Sequence, residues 1–205
     1  MKIAKEGYPF VLTAAGLAVL AFAGGWAWIG WGFALFALAF LAFFRDPERI
    51  VPEGEGLVVS PADGRVTAIR DLRGEGLRTR VSIFLSPLDV HINRAPVEGK
   101  VEEVRYQAGK FFAAYKEEAS EANERNAVTL VDKQGRRFGA VQIAGVVARR
   151  IVCKTREGDW LERGERFGLI RFGSRVDLYL PDGSRIEVAE GQRVTGGETI
   201  IARMT

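Results

Sequence analysis

The 205-residue chain carries one histidine and one cysteine. Any chemistry that needs an imidazole therefore uses His91, and neither an intramolecular disulfide nor a Cys/His zinc cluster can be built. His91 stands in Asp89-Val90-His91-Ile92-Asn93-Arg94-Ala95-Pro96. Its ordinary pKa suits proton transfer near neutrality, although a hydrogen-bonded structural imidazole fits the composition equally well. Asp63, in Ser60-Pro61-Ala62-Asp63-Gly64, reads by itself as a turn former. Gly173-Ser174 falls between strand-like residues 168–172 and 175–180, and by itself reads as a bulge or tight bend. Cys153, in an apolar run, reads as a small buried hydrophobe.

The elements that must hold these residues are β-strands. Residues 57–60, 64–71, 78–85, 99–106, 127–131, 138–144 and 146–155 are short β-rich runs separated by Gly, Pro and Asp, with a turn at Asp63-Gly64. Residues 175–180 and 184–189 alternate around Pro181-Asp182-Gly183, which predicts a hairpin. Only residues 110–122 read as non-strand, a short helix or an ordered loop. The pattern predicts a mostly β (α+β) fold over residues 45–205, antiparallel and barrel- or sandwich-like. Residues 161–171 weakly echo residues 189–201, with the glycine punctuation of the barrel-sandwich hybrids of biotinyl and lipoyl carriers. A carrier needs a lysine displayed at a hairpin tip, and no Lys follows Lys154, so this likeness concerns the fold and fixes no function.

Ahead of the strands, residues 10–44 hold no charged side chain, and only Lys2, Lys5 and Glu6 precede them among the charged residues. The near-zero mean hydropathy therefore averages two unlike parts. As one helix the stretch would run about 52 Å, well beyond the roughly 30 Å of bilayer hydrocarbon. Gly24-Gly25 is the natural break, giving an apolar hairpin of residues 10–23, short for a span, and residues 26–44. Trp26, Trp28 and Trp31 cluster beside the break, and Lys2, Lys5, Arg45 and Arg49 flank the outer ends. Under the positive-inside rule both ends belong in the cytoplasm, and the hairpin dips into or through the membrane. A cleaved secretory signal ending at Ala21-Phe22-Ala23 and a single span at residues 26–44 are the competing readings. The net charge of +3, from 29 basic against 26 acidic residues, gives no field of the kind that drives nucleic-acid binding.

In combination the motifs resemble a family. Ser60-Pro61-Ala62-Asp63-Gly64, Asp89 to Pro96, Gly109-Lys110-Phe111 running to Asn123-Glu124-Arg125-Asn126, and Phe172-Gly173-Ser174 occur in the order seen in phosphatidylserine decarboxylase of the short prokaryotic form. The resemblance covers nearly the whole chain, including the apolar start that ends in Phe43-Phe44-Arg45-Asp46-Pro47.

The resemblance implies a proenzyme that cuts itself between Gly173 and Ser174 and turns Ser174 into a covalent pyruvoyl group, its pyruvate cofactor. Ser174 supplies the attacking hydroxyl, and Gly173 the small residue that lets Oγ reach a carbonyl. The pyruvoyl ketone would form a Schiff base with phosphatidylserine and release phosphatidylethanolamine. His91 would carry the proton transfer, Asp63 would support maturation, and no metal is called for. Residues 1–173 and 174–205 would remain together as a heterodimer on membrane lipid at the cytoplasmic face of the cell membrane, with further self-association left open. Longer members of that family carry two histidines three residues apart. Aligned on Pro96, His91 takes the first position and Arg94 the second, so an Asp-His-Ser relay does not carry over intact. Either His91 serves both steps, or Asp63 acts more directly with Arg94 as an electrostatic partner. Arg94 is also the tentative contact for a substrate phosphate or carboxylate, with a surface ion pair as the bland alternative. A pyruvoyl decarboxylase of a soluble amino acid and a non-catalytic membrane-anchored β module are the other readings.

Overall fold

The computed structural model describes residues 2–72, 77–109, 123–145, 150–171 and 174–204. The chain divides into two compact units, Met1–Glu48 and Arg49–Thr205.

In the first unit, strand β1 (Lys2–Ile3) and a 3-10 turn lead into helix α1 (Tyr8–Ala23), followed by α2 (Ala27–Phe43) and β2 (Arg45–Asp46). Pro9 sits in the first turn of α1, where a missing N–H costs nothing. The helix ends in a Schellman motif. Trp26 N–H donates to Ala21 O and Gly25 N–H to Phe22 O, and Gly25 takes the left-handed φ of 79° that this cap requires. The helices run antiparallel: Phe10 meets Phe40 at a ring separation of 5.4 Å and Phe22 meets Trp31 at 5.5 Å. β1 and β2 pair across the base of the hairpin. The break falls where the paired glycines predict it, but the lengths differ from expectation. The 3-10 turn extends the first helical segment to Lys5–Ala23, 19 residues apolar enough to cross a membrane, while Ala27–Phe43 is the shorter piece.

The second unit is antiparallel β. Its strands are β3 (Leu57–Val59), β4 (Gly64–Asp71), β5 (Leu77–Leu85), β6 (Ile92–Arg94), β7 (Gly99–Gln107), β8 (Arg125–Val131), β9 (Arg137–Ala144), β10 (Ile151–Cys153), β11 (Trp160–Leu161), β12 (Arg166–Ile170), β13 (Ser174–Pro181), β14 (Ser184–Ile186), β15 (Arg193–Val194) and β16 (Ile200–Met204). Eight of them form a curled half-barrel sheet in the order β11-β7-β8-β9-β13-β5-β4-β15. Two three-stranded sheets, β10-β12-β6 and β14-β16-β3, complete the unit. Period-two alternation sends Val81, Ile83 and Leu85 of β5, Val176, Leu178 and Leu180 of β13, and Phe138, Ala140 and Ala144 of β9 into one buried core.

β13 is an interior strand, bonded to β5 along its whole length and to β9 over Ser174–Tyr179. That placement corrects the expected hairpin. The turn after Pro181 exists, with Ser184 Oγ donating to Pro181 O at 2.8 Å, but β14 pairs with β16 in another sheet. Both edges of β13 are already taken, so no ladder is left for the strand that follows it. Of the expected strand over residues 146–155, the described residues 150–155 form a strand at Ile151–Cys153; residues 146–149, like the predicted helix or loop at residues 110–122, lie outside the described residues.

Candidate active site

Ser174 opens β13, opposite Leu85 on one side and Ala144 on the other. Alternation places its side chain on the core face with Val176 and Leu178. The residue is fully buried, and its Oγ has no hydrogen-bond partner among the described residues. A buried hydroxyl with no partner costs free energy, and such groups are rare in natural cores. Phe172 and Gly173 lie outside the described residues.

His91 is buried just before β6 and continues that strand's register: Ile92 pairs with Leu169, and Ile170 N–H donates to His91 O at 3.3 Å. Its Nδ1 lies 2.9 Å from Asp89 O. A carbonyl can only accept, so Nδ1 carries the hydrogen, and in the neutral ring Nε2 is the proton acceptor. The loop that presents His91 is tied down by Asp89, whose Oδ2 accepts from Ser86 N–H at 2.8 Å and whose Oδ1 accepts from Arg193 at 3.1 Å. The loop leaves Leu85, the ladder partner of Ser174, and returns to His91, whose carbonyl holds Ile170, four residues before Ser174. Four residues span at most about 14 Å, which bounds the separation of the two backbones.

Asp63 precedes β4. Gly64 beside it has φ 153°, and a Cβ there would stand 2.1 Å from Phe84 O, so only glycine lets β4 close on β5 at this point. The Asp63 carboxylate accepts from Arg49 Nη2 through both oxygens, at 3.0 and 2.8 Å, and Oδ1 also accepts from Gly196 N–H at 2.8 Å. Burial pushes its pKa above the ordinary value, with the Asp89 charge adding to the rise, while Gly196 N–H and Arg49 oppose it. Asp63 is thus a carboxyl whose proton affinity is raised, close enough to Asp89 to sense its charge.

Arg94 is buried, which excludes the surface ion pair. Its backbone N–H donates to Pro61 O and its Nη1 to Gly164 O, both at 2.9 Å, and its Cδ lies where a Cβ on Gly197 would be, 2.9 Å away. Asp63 and Arg94 therefore approach the Gly196-Gly197 turn together. Cys153 is only partly buried, less than its apolar surroundings predict, and burial raises its thiol pKa.

Several residues enter the site that sequence reasoning did not single out. Arg49 read only as a charge flanking the apolar run, and Asp89 and Asn93 as parts of a quoted motif. Gln142 had a legible signal: it is the polar position in the core-facing alternation Phe138, Ala140, Gln142, Ala144 of β9, and it is fully buried.

Residues 36–202, which include Asp63, His91, Arg94 and Ser174, match the family model described as phosphatidylserine decarboxylase. A curated relative from Zymomonas mobilis subsp. mobilis is 46% identical over 213 aligned residues, covering 98% of this chain and 87% of the relative. Another, from Granulibacter bethesdensis, is 48% identical over 206 residues, covering 96% of this chain and 83% of its own. Both bear the name phosphatidylserine decarboxylase proenzyme.

Proposed function

The chain belongs to the phosphatidylserine decarboxylase family, and from that premise we propose that it matures by cutting itself between Gly173 and Ser174 and then converts phosphatidylserine to phosphatidylethanolamine at a membrane. The observation that carries the maturation step is Ser174 Oγ, buried and without a hydrogen-bond partner among the described residues, at the first residue of an interior strand.

Ser174 Oγ adds to the carbonyl carbon of Gly173 as its proton passes to a base, the C–N bond breaks with its electron pair going to the Ser174 nitrogen, and an ester replaces the amide. Loss of the Ser174 α-proton then expels the carboxylate that ends residues 1–173. Residue 174 is left as dehydroalanine, which water converts to a pyruvoyl group with release of ammonia. The site fits such a group: position 174 is fully buried, reached by no hydrogen-bond donor among the described residues through its side chain, and tied through the backbone to the loop that carries His91. When present, the ketone supplies the electron-accepting carbonyl that a primary-amine substrate needs in order to lose CO₂.

His91 takes up a proton at Nε2 as the substrate's ammonium group loses one, and delivers it to the substrate α-carbon once CO₂ has left. Asp63 supports maturation, its raised proton affinity suiting a group that accepts a proton from a hydroxyl. Arg94, anchored to Gly164 O, holds the Gly196-Gly197 turn beside Asp63. Its further part would be contact with the phosphate or carboxylate of the substrate.

Residues 174–205 contribute β13 between β5 and β9 and β16 between β14 and β3. The cut therefore leaves both pieces in one fold, as a heterodimer of residues 1–173 and 174–205. The apolar hairpin of residues 1–44 holds the domain of residues 45–205 at the cytoplasmic face of the membrane, where the head groups are. Mass spectrometry of the purified protein tests this reading. Two chains are expected, the smaller beginning with a pyruvoyl residue, and an intact chain with unmodified Ser174 in a folded, active preparation would overturn it. Assay of the lipid against free serine decides the substrate class.

A further inference from the structure

A second polar atom is stranded in the same interior. Asn93 is fully buried, and its Nδ2 has no hydrogen-bond partner among the described residues. Its orientation is set by a directional chain: Asn126 Nδ2 donates to Gln142 Oε1 at 3.0 Å, and Gln142 Nε2 donates to Asn93 Oδ1 at 2.9 Å, with a longer contact of 3.5 Å to Val152 O. Each amide fixes the next, so Asn93 ends the chain with its carbonyl oxygen spent and its two N–H donors unspent. Gly168 makes the contact possible. It pairs with Asn93 across β12 and β6, and a Cβ there would stand 2.9 Å from Gln142 Nε2.

The chain passes through the strand next to Ser174. Gln142 lies on the same face of β9 as Ala144, the ladder partner of Ser174, so Gln142 and Ser174 are diagonal neighbours, about 7–8 Å apart. Asn93 lies two residues after His91 and so shares its face of the strand. Polar side chains thus enter one apolar interior, and a nucleophilic oxygen and an amide donor among them both lack hydrogen-bond partners among the described residues.

We propose that Asn93 is a catalytic donor of self-cleavage: Nδ2 hydrogen-bonds the oxygen that gains negative charge when Ser174 Oγ adds to the preceding carbonyl carbon. As the C–O bond forms, the carbonyl π pair moves onto that oxygen; it returns when the C–N bond breaks and the Ser174 nitrogen takes up a proton. A fixed neutral donor in a dry site stabilises this charge without reorganising, and donors of this kind contribute about 10²–10³ in rate. The inference rests on the maturation proposed above.

The test follows precursor cleavage after cell-free synthesis, in three chains. Asn93→Asp keeps the oxygen that accepts from Gln142 and deletes the donor. Gln142→Glu leaves residue 93 intact but offers it a carboxylate, which diverts Nδ2 away from the site. Cleavage of Asn93→Asp is expected to slow by at least about 100-fold, and that of Gln142→Glu to slow in the same direction, with no hydroxylamine-labile ester accumulating in either. Cleavage at the parent rate in a folded variant, or accumulation of the ester, overturns the proposal. Should Asn93→Asp not fold, Gln142→Glu decides alone. Failure of the parent chain itself to cleave removes the maturation reading, and is distinguishable because it precedes any substitution.

Discussion

The carbonyl of His91 accepts the amide hydrogen of Ile170 at 3.3 Å, and Ile170 stands four residues before Ser174. Leu85, from which the His91 loop departs, is itself the ladder partner of Ser174. The backbone therefore closes a circuit around the proposed cleavage point, with the single imidazole of the chain on one side and the buried hydroxyl on the other. Residues 83 positions apart in sequence are held together by main-chain hydrogen bonds, so side-chain substitutions here test chemistry more than scaffold.

His91→Ala separates proton transfer from maturation. The expected product is a cleaved chain whose CO₂ release from phosphatidylserine falls by about 10²–10⁴. Fragment masses and CO₂ release, measured on one preparation, check it. An uncleaved chain would move His91 into maturation, and full activity would remove it from both steps.

Arg49→Met acts through Asp63. The substitution deletes both the charge of Arg49 and its two hydrogen bonds, each of which lowers the Asp63 pKa, so the carboxyl rises further above its ordinary 3.8. A group whose folded pKa is raised contributes stability that is fully present below the unfolded value and lost as pH rises through the folded value. The variant is therefore expected to lose more stability than the parent between pH 4 and pH 8, and the acid limb of its cleavage-rate profile should move to higher pH. Unfolding midpoints and cleavage rates across that range check both signs; an unmoved profile would detach Asp63 from the rate.

Gly64→Ala places a Cβ 2.1 Å from Phe84 O at a φ of 153°. The left-handed strain alone costs about 1–3 kcal/mol, and the clash falls on backbone that pairs β4 with β5. The variant should unfold at a lower temperature and accumulate as uncleaved precursor. Denaturant unfolding gives the energy, and an unchanged midpoint contradicts the geometry.

Much of this arrangement was legible in the residues. Gly24-Gly25 marked the helix break because glycine adopts the left-handed conformation that ends α1, and the Gly, Pro and Asp punctuation around residues 64–71, 78–85 and 138–144 marked them as strands. The hairpin expected after Pro181 shows the limit. Turn chemistry is local, whereas the neighbours of β13 are set by β5 and β9, far away in sequence. Strands of two or three residues such as β6 and β15 carry too few side chains to show a period, though β6 holds Arg94 and Asn93. Asp63 and His91 were visible as motif residues, but the Arg49 partner was masked by its place beside the apolar run.

The cut should not separate the pieces. β13 supplies Val176, Leu178 and Leu180 to the core and is hydrogen-bonded on both edges, and β16 is likewise interior to its sheet. Across the two pieces Arg193 also meets Asp89, and Gly196 N–H meets Asp63. Burial of Val176, Leu178 and Leu180, at about 1.5–3 kcal/mol each, acts together with the ladders on both edges of β13 to oppose separation. Residues 1–173 and 174–205 are therefore expected to co-elute on size exclusion after complete cleavage and to part only in denaturant, at the same midpoint by fluorescence and by elution. Release of the small piece under native conditions would show that β13 does not hold its interior place once the chain is cut.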